Sequence, residues 1–308
     1  MTRTIDTSSP LARYTRASEI AAGEIIEVYS TSFGTATRLL GARHRTHVRN
    51  IYALVRVADE LVDGATAEAG MTPDEQRLTL DRFEEEIERA VRSGYSSNPI
   101  VHAFARTAGA AGIDGELTRP FFSSMRTDLG ATDAAGPSSS TDPQLRFGGA
   151  EHASYVYGSA EVVGLMCLRV FIRDESPSAE ERRALEHGAR RLGAAFQNVN
   201  FLRDLADDTE RLGRSYLSER GRIDDETKDG WVSEIRAQLS DARAALPLLP
   251  KDARIAVGAA LRLFSRLADR IARTPADDLY RRRVRVPTAE KSWLIARALL
   301  DMRKERAR

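Results

Sequence analysis

The chain has 308 residues, 42% of them apolar, and 46 Lys+Arg against 45 Asp+Glu leave a net charge of only +1. That balance gives no general attraction for nucleic acid, and no nucleic-acid partner is expected. The single cysteine, Cys167, excludes an internal disulfide and lies in the apolar run VVGLMCLRVF, where it is expected to fill core space. The stretch MTRTIDTSSPLARYTRASE lacks the apolar centre of a secretion signal, and no uncharged apolar run approaches the roughly 18 residues of a spanning helix. A cytoplasmic protein is expected, with peripheral contact at a membrane surface open to it.

Helical periodicity dominates from end to end. Helices are expected near 17–40, 45–63, 73–93, 98–112, 114–129, 151–173, 178–208, 229–246, 251–273 and 289–305. Thr72-Pro73-Asp74-Glu75 carries a capping Thr, a Pro in the first turn and an acid three residues on. Ser176-Pro177 is expected to start the long helix that follows. Gly130–Gly149, rich in Gly, Ser, Pro and Asp, reads as a loop, and Gly213–Gly230 as a second polar break. With no repeat at a fixed short period, one helical domain over 1–308, core about 20–302, is expected.

Two of these helices carry charge where a core belongs. In IYALVRVADELVDG, Tyr52, Arg56, Asp59 and Asp63 follow at +4, +3 and +4. In QNVNFLRDLADD, Gln197, Asn200, Asp204 and Asp208 follow at +3, +4 and +4. Each set forms one stripe on its helix, flanked by Val, Leu and Ile. Acids four apart repel, and burial sharpens the repulsion, so something positive must compensate them. Arginine partners would serve, and so would divalent cations. Oxygen-only ligation by few carboxylates suits Mg²⁺, which favours phosphate oxygens as further ligands. Two such rows could grip a diphosphate as a leaving group, and an apolar cavity behind them would keep water from a carbocation. The histidines at 44, 47, 102, 152 and 187 show neither triad nor metal spacing.

Taken together, these motifs resemble the squalene/phytoene synthase family. YALVR-DELVD at Tyr52–Asp63 is similar to its first aspartate-rich motif and NFLRDLADD at Asn200–Asp208 to its second. Ser32-Phe33, MRTDL at Met125–Leu129, YVYGSAEVVGLMCLRVF at Tyr155–Phe171, GRSYL at Gly213–Leu217 and YRRRVRVP at Tyr280–Pro287 extend the resemblance over roughly 25–300. It implies an all-α isoprenoid-synthase bundle around a central cavity. It also implies head-to-head coupling of two prenyl diphosphates through a cyclopropyl diphosphate. DELVDG is closer to the phytoene branch, which joins two geranylgeranyl diphosphates in carotenoid biosynthesis and needs no NADPH. The absence of a GxGxxG fingerprint agrees.

By matching position, Asp59, Asp63, Asp204 and Asp208, with Asn200, would hold Mg²⁺, or Mn²⁺ in its place. Ser30, Arg45, Tyr52, Arg56, Tyr157, Gln197, Asn200 and Arg203 would contact diphosphate or shape that end of the cavity. Arg283 or Arg285 would close over the phosphates. The resemblance further implies contact with neighbouring carotenoid-pathway enzymes. Glu161 stands where the family usually has Gly, and Phe264 near a frequent Tyr. Tyr29 replaces a His found in some members. Rival readings are a squalene or hydroxysqualene synthase using farnesyl diphosphate, a one-substrate terpene cyclase, and a non-catalytic relative acting in assembly.

Overall fold

A computed structural model describes residues 9–133, 145–146, 149–206, 214–215, 217, 222–287 and 289–291. Helices α1 (Pro10–Tyr29) and α2 (Thr31–Arg38) meet at Ser30, whose side chain accepts the Phe33 N–H and caps α2. The expected 17–40 helix is thus two helices, beginning earlier and divided at a capping serine.

Helix α3 (Ala42–Asp63) ends at Gly64 and is followed by the single turn α4 (Ala65–Glu68). Helix α5 (Pro73–Ser93) opens on the expected Thr72/Glu75 capping box and closes at Gly94, in the left-handed region at φ 74°. Helix α6 (Pro99–Ala111) follows, and α7 (Gly115–Asp133) runs past the expected end at 129. Most of the expected 130–149 loop lies outside the described residues.

Helix α8 (Gly149–Val156) passes through a π turn (Tyr157–Glu161) into α9 (Val162–Ile172). This 24-residue run is long and apolar enough to cross a membrane by length and composition, although Glu151, Glu161 and Arg169 leave it with no uncharged stretch of that length. Half of its most apolar stretch is buried, and it packs against α7 and α10 (Ala179–Arg203) as a core helix does. The start of α10 is also corrected: Ser178, with Glu181 completing a capping box, caps the helix rather than Ser176-Pro177. Helix α10 ends at Arg203, before the expected 208.

Helix α11 (Asp225–Ala245) begins on Asp224, whose carboxylate accepts the Thr227 N–H, so the expected 213–230 break is shorter. A turn at Leu246–Leu248 leads to α12 (Lys251–Ala272) and the short α13 (Ala276–Leu279). Among the described residues, extended pairing is confined to Leu145–Arg146 beside Arg214–Ser215, in parallel. The expected 289–305 helix lies mostly outside them.

Two apolar clusters frame the interior. One joins α3, α5, α6, α7 and α9 through Leu54, Leu80, Phe104, Phe122 and Met166; the other joins α10, α11 and α12 through Val199, Ile235 and Leu261. Helices α9 and α10 touch main chain to main chain. A Cβ on Gly164 would lie 2.6 Å from the Ala189 carbonyl oxygen, and one on Gly193 2.6 Å from that of Ala160. Only glycine allows that approach without a shift of backbone.

Candidate active site

The helices enclose a cavity of ≈ 1160 Å³. Its walls are mainly apolar, with Val48, Ile51, Val55, Val163, Phe196 and Val257 among them. Cys167 also lines it, so the thiol faces the chamber instead of filling solid core; burial pushes it up to about 12, which keeps it protonated.

Both polar stripes reach this one chamber. Tyr52, Arg56, Asp59 and Asp63 line it from α3, and Gln197, Asn200, Arg203 and Asp204 from the end of α10. Ser30 lines it from the α1–α2 junction, and Arg283 and Arg285 from the segment after α13. Asp208 lies outside the described residues. Two expected residues are not on its lining. Arg45 is absent from the wall, and its guanidinium donates to the Leu40 carbonyl at 2.8 Å. Tyr157 is absent as well; Arg190 packs over its ring at 5.2 Å. Tyr155 lines the chamber in its place. Two residues apart on a helix means nearly opposite faces. Glu161 pairs with Arg190, Nε to Oε2 at 2.6 Å, and does not narrow the cavity.

Asp128 was not anticipated. It is 2% exposed, lines the chamber, and accepts a hydrogen bond from the Tyr155 hydroxyl at 2.7 Å. The available signal was an acid on the buried face of α7, three residues after Met125 and next to Leu129. Lys291 also lines the wall unforeseen.

The two acidic ends differ in what surrounds them. Burial, with Asp63, Asp128 and Glu60 nearby, pushes the Asp59 carboxyl up to about 8 despite the opposing pull of Arg56. What exposure Asp59 keeps is toward the chamber. Asp204 instead is held by Arg203, Nε to Oδ1 at 2.9 Å, and by Arg283, Nε to Oδ1 at 2.7 Å. Of the two compensations open from the sequence, arginines engage Asp204, whereas crowding and burial on α3 favour the protonated form of Asp59.

Among the described residues, no three carboxylate, imidazole or thiol groups converge tightly enough to cage a bare ion. Mg²⁺ needs only one or two carboxylates where phosphate oxygens and water complete its octahedron. The oxygen donors of Asp59, Asp63, Asn200 and Asp204, all on the lining of one chamber, are of the type that fits the cation on that condition.

An apolar chamber walled by helices, with acidic and arginine side chains gathered on its lining, defines an isoprenoid-synthase type of helical fold. The Squalene/phytoene synthase family model matches residues 26–221, and the chain belongs to that family. Among curated proteins it is similar to phytoene synthase of Arthrospira platensis, at 28% identity over 91% of this chain and 92% of that one. It is 29% identical to the chloroplastic phytoene synthase 3 of Zea mays over 90% of this chain, spanning 64% of that protein's length. Among solved structures, a dehydrosqualene synthase in complex with ligand superposes with a TM-score of 0.71 at 19% identity, covering 96% of this chain and 100% of that one. The squalene synthase HpnC from Alicyclobacillus acidocaldarius gives 0.68 at 18% identity, covering 86% and 96%.

Proposed function

We propose that the protein is a prenyl transferase that condenses two geranylgeranyl diphosphates head to head into phytoene, through a cyclopropyl diphosphate, releasing diphosphate. The observation that carries this reading is the convergence of both polar stripes on one apolar chamber. Similarity to phytoene synthases along most of the chain supports the phytoene product over others of the family.

Asp59, Asp63, Asn200 and Asp204 would hold Mg²⁺, which when bound neutralises the diphosphate and makes it a better leaving group. Arg56, Arg203 and Arg283 supply N–H donors to the same oxygens. The apolar walls receive the hydrocarbon tails and exclude the water that would quench an allylic cation. Phe33, Phe196 and Phe264 cluster in that wall, with Phe196 and Phe264 stacked at 3.7 Å between centroids. Their ring faces offer a cation a quadrupole and no nucleophile.

The test is product analysis of an organic extract. Pure protein is given labelled geranylgeranyl or farnesyl diphosphate, with Mg²⁺ or EDTA, with and without NADPH. Phytoene from the C20 substrate, requiring Mg²⁺ and indifferent to NADPH, is expected. A product made only from farnesyl diphosphate, or no diphosphate release at all, overturns the reading.

A further inference from the structure

The run Asp59–Asp63 holds three acids, and two of them reach the chamber. Asp59 and Asp63 line it; Glu60 does not. The Glu60 carboxylate folds back over the C-terminal end of α3. Its Oε2 accepts the Ala65 backbone N–H at 2.9 Å, just past the helix end. Its Oε1 takes the Arg56 guanidinium from one turn earlier. The Tyr29 hydroxyl bonds the same carboxylate. One acid therefore joins the last residue of α1, the body of α3 and the first residue of α4.

Gly64 makes room for this. A Cβ placed there would stand 2.1 Å from Glu60 Oε2 and 2.8 Å from the carboxyl carbon. Any side chain at 64 would evict the carboxylate from its place. Arg56 lines the chamber, lies over the Tyr29 ring at 4.3 Å, and has a buried Nε with no partner among the described residues. An open N–H on a buried guanidinium is unfavourable until an anion completes it. A planar guanidinium held at one nitrogen by a carboxylate and stacked on a ring keeps its remaining N–H groups aimed in few directions.

We propose that Glu60 is a positioning residue: it pins Arg56 and Tyr29 at the chamber so that the open edge of the guanidinium meets a diphosphate, and Gly64 leaves space for the pinning carboxylate. The inference rests on the prenyl-diphosphate reading above and assigns the middle acid of the motif to arginine, not to metal.

The test compares the full-length parent with Glu60→Gln, Glu60→Ala, Gly64→Ala and the Glu60→Ala/Gly64→Ala double variant. Four quantities are read: the Arg56 Nε–H NMR resonance, assigned through Arg56→Lys; the affinity for inorganic diphosphate with Mg²⁺ by calorimetry; KM and kcat for geranylgeranyl diphosphate; and the melting temperature as a check on folding. The Arg56 resonance is expected to be slowly exchanging in the parent and broadened in Glu60→Ala and Gly64→Ala. Diphosphate affinity falls and KM rises by about tenfold in both, with Glu60→Gln between them and the parent. The value of kcat stays within about twofold. The double variant is no worse than Glu60→Ala alone, since both lose the same contact. An unchanged resonance and KM in folded Glu60→Ala or Gly64→Ala, or additive losses in the double variant, overturn the inference while the parent's own turnover keeps the enzymatic reading intact. A parent that binds no diphosphate overturns both.

Discussion

Arg283 Nε lies 2.7 Å from Asp204 Oδ1, joining a segment after α13 to the end of α10 across 79 residues of sequence. Arg203 bonds the same carboxylate through its Nε at 2.9 Å. A cation at Asp204 must therefore compete with two guanidinium groups. In Arg283→Ala one competitor is gone, so substrate-free protein should bind Mg²⁺ about threefold to tenfold more tightly. On the proposed reading the same change also removes a donor to diphosphate, so KM should rise. Calorimetric titration with Mg²⁺ and steady-state kinetics read the two opposite shifts; tighter Mg²⁺ binding without a KM increase would show that Arg283 guards the acid and does not touch substrate.

Asp59 sets a pH dependence of stability. Its folded value of about 8 lies above the ordinary 3.8, so the folded state favours the protonated carboxyl. The associated stability is fully present below about 4 and is lost as pH rises toward 8. In EDTA, the parent's melting temperature should fall over that range. Asp59→Asn should flatten the fall and melt above the parent at pH 8, while losing turnover by at least about a hundredfold. Melting curves from pH 4 to 8 and a turnover assay check both halves.

Asp252 behaves with the opposite sign. The hydrogen bond from Arg43, Nε to Oδ2 at 2.8 Å, with His44 adding its own, holds the Asp252 carboxyl down to about 2 against an ordinary 3.8. Its contribution is present above about 4 and disappears as pH falls through 2. The pair is partly exposed, so the effect is small. Asp252→Asn should lower the melting temperature by about 2 °C at pH 7 and leave it unchanged near pH 2.

Phe264 is 4% exposed, yet one side of its ring faces the chamber. Phe264→Ala deletes the stack on Phe196 but enlarges a space that already exists. The loss should fall near 2–3 kcal/mol, at or below the low end of the roughly 3–5 usual for such a truncation. Urea unfolding measures it, and a loss above 5 would mean that the ring braces α12 against α10 more than it lines a cavity.

The first stripe was legible because it rests on a fixed helical period, whereas the second runs past the end of α10 at Arg203. Tyr52, Arg56, Asp59 and Asp63 had to share a face once α3 formed, and Leu54, Ala58 and Val62 had to turn that helix into the protein. Thr72 was legible because a capping box is local chemistry. Which of two nearby tyrosines faces inward was not, because the period fixes relative phase only. The α7 contact that orients Tyr155, its hydroxyl on Asp128, comes from 27 residues away. The placement of Arg45 was hidden for a similar reason, since the Leu40 carbonyl that it bonds lies in the turn between α2 and α3. Asp128 stood in plain view on a buried helical face, but a lone acid has no second member to announce a row.

Gly164 and Gly193 bring the backbones of α9 and α10 together along the chamber, so part of its lining is peptide instead of side chain. A surface with no side chain to shorten cannot be hollowed out by mutation, and adding one there would drive the helices apart. On the prenyl-diphosphate reading, divergence toward longer or shorter hydrocarbon guests would then fall to positions of the lining that do carry side chains, such as Val48, Val163 or Val257.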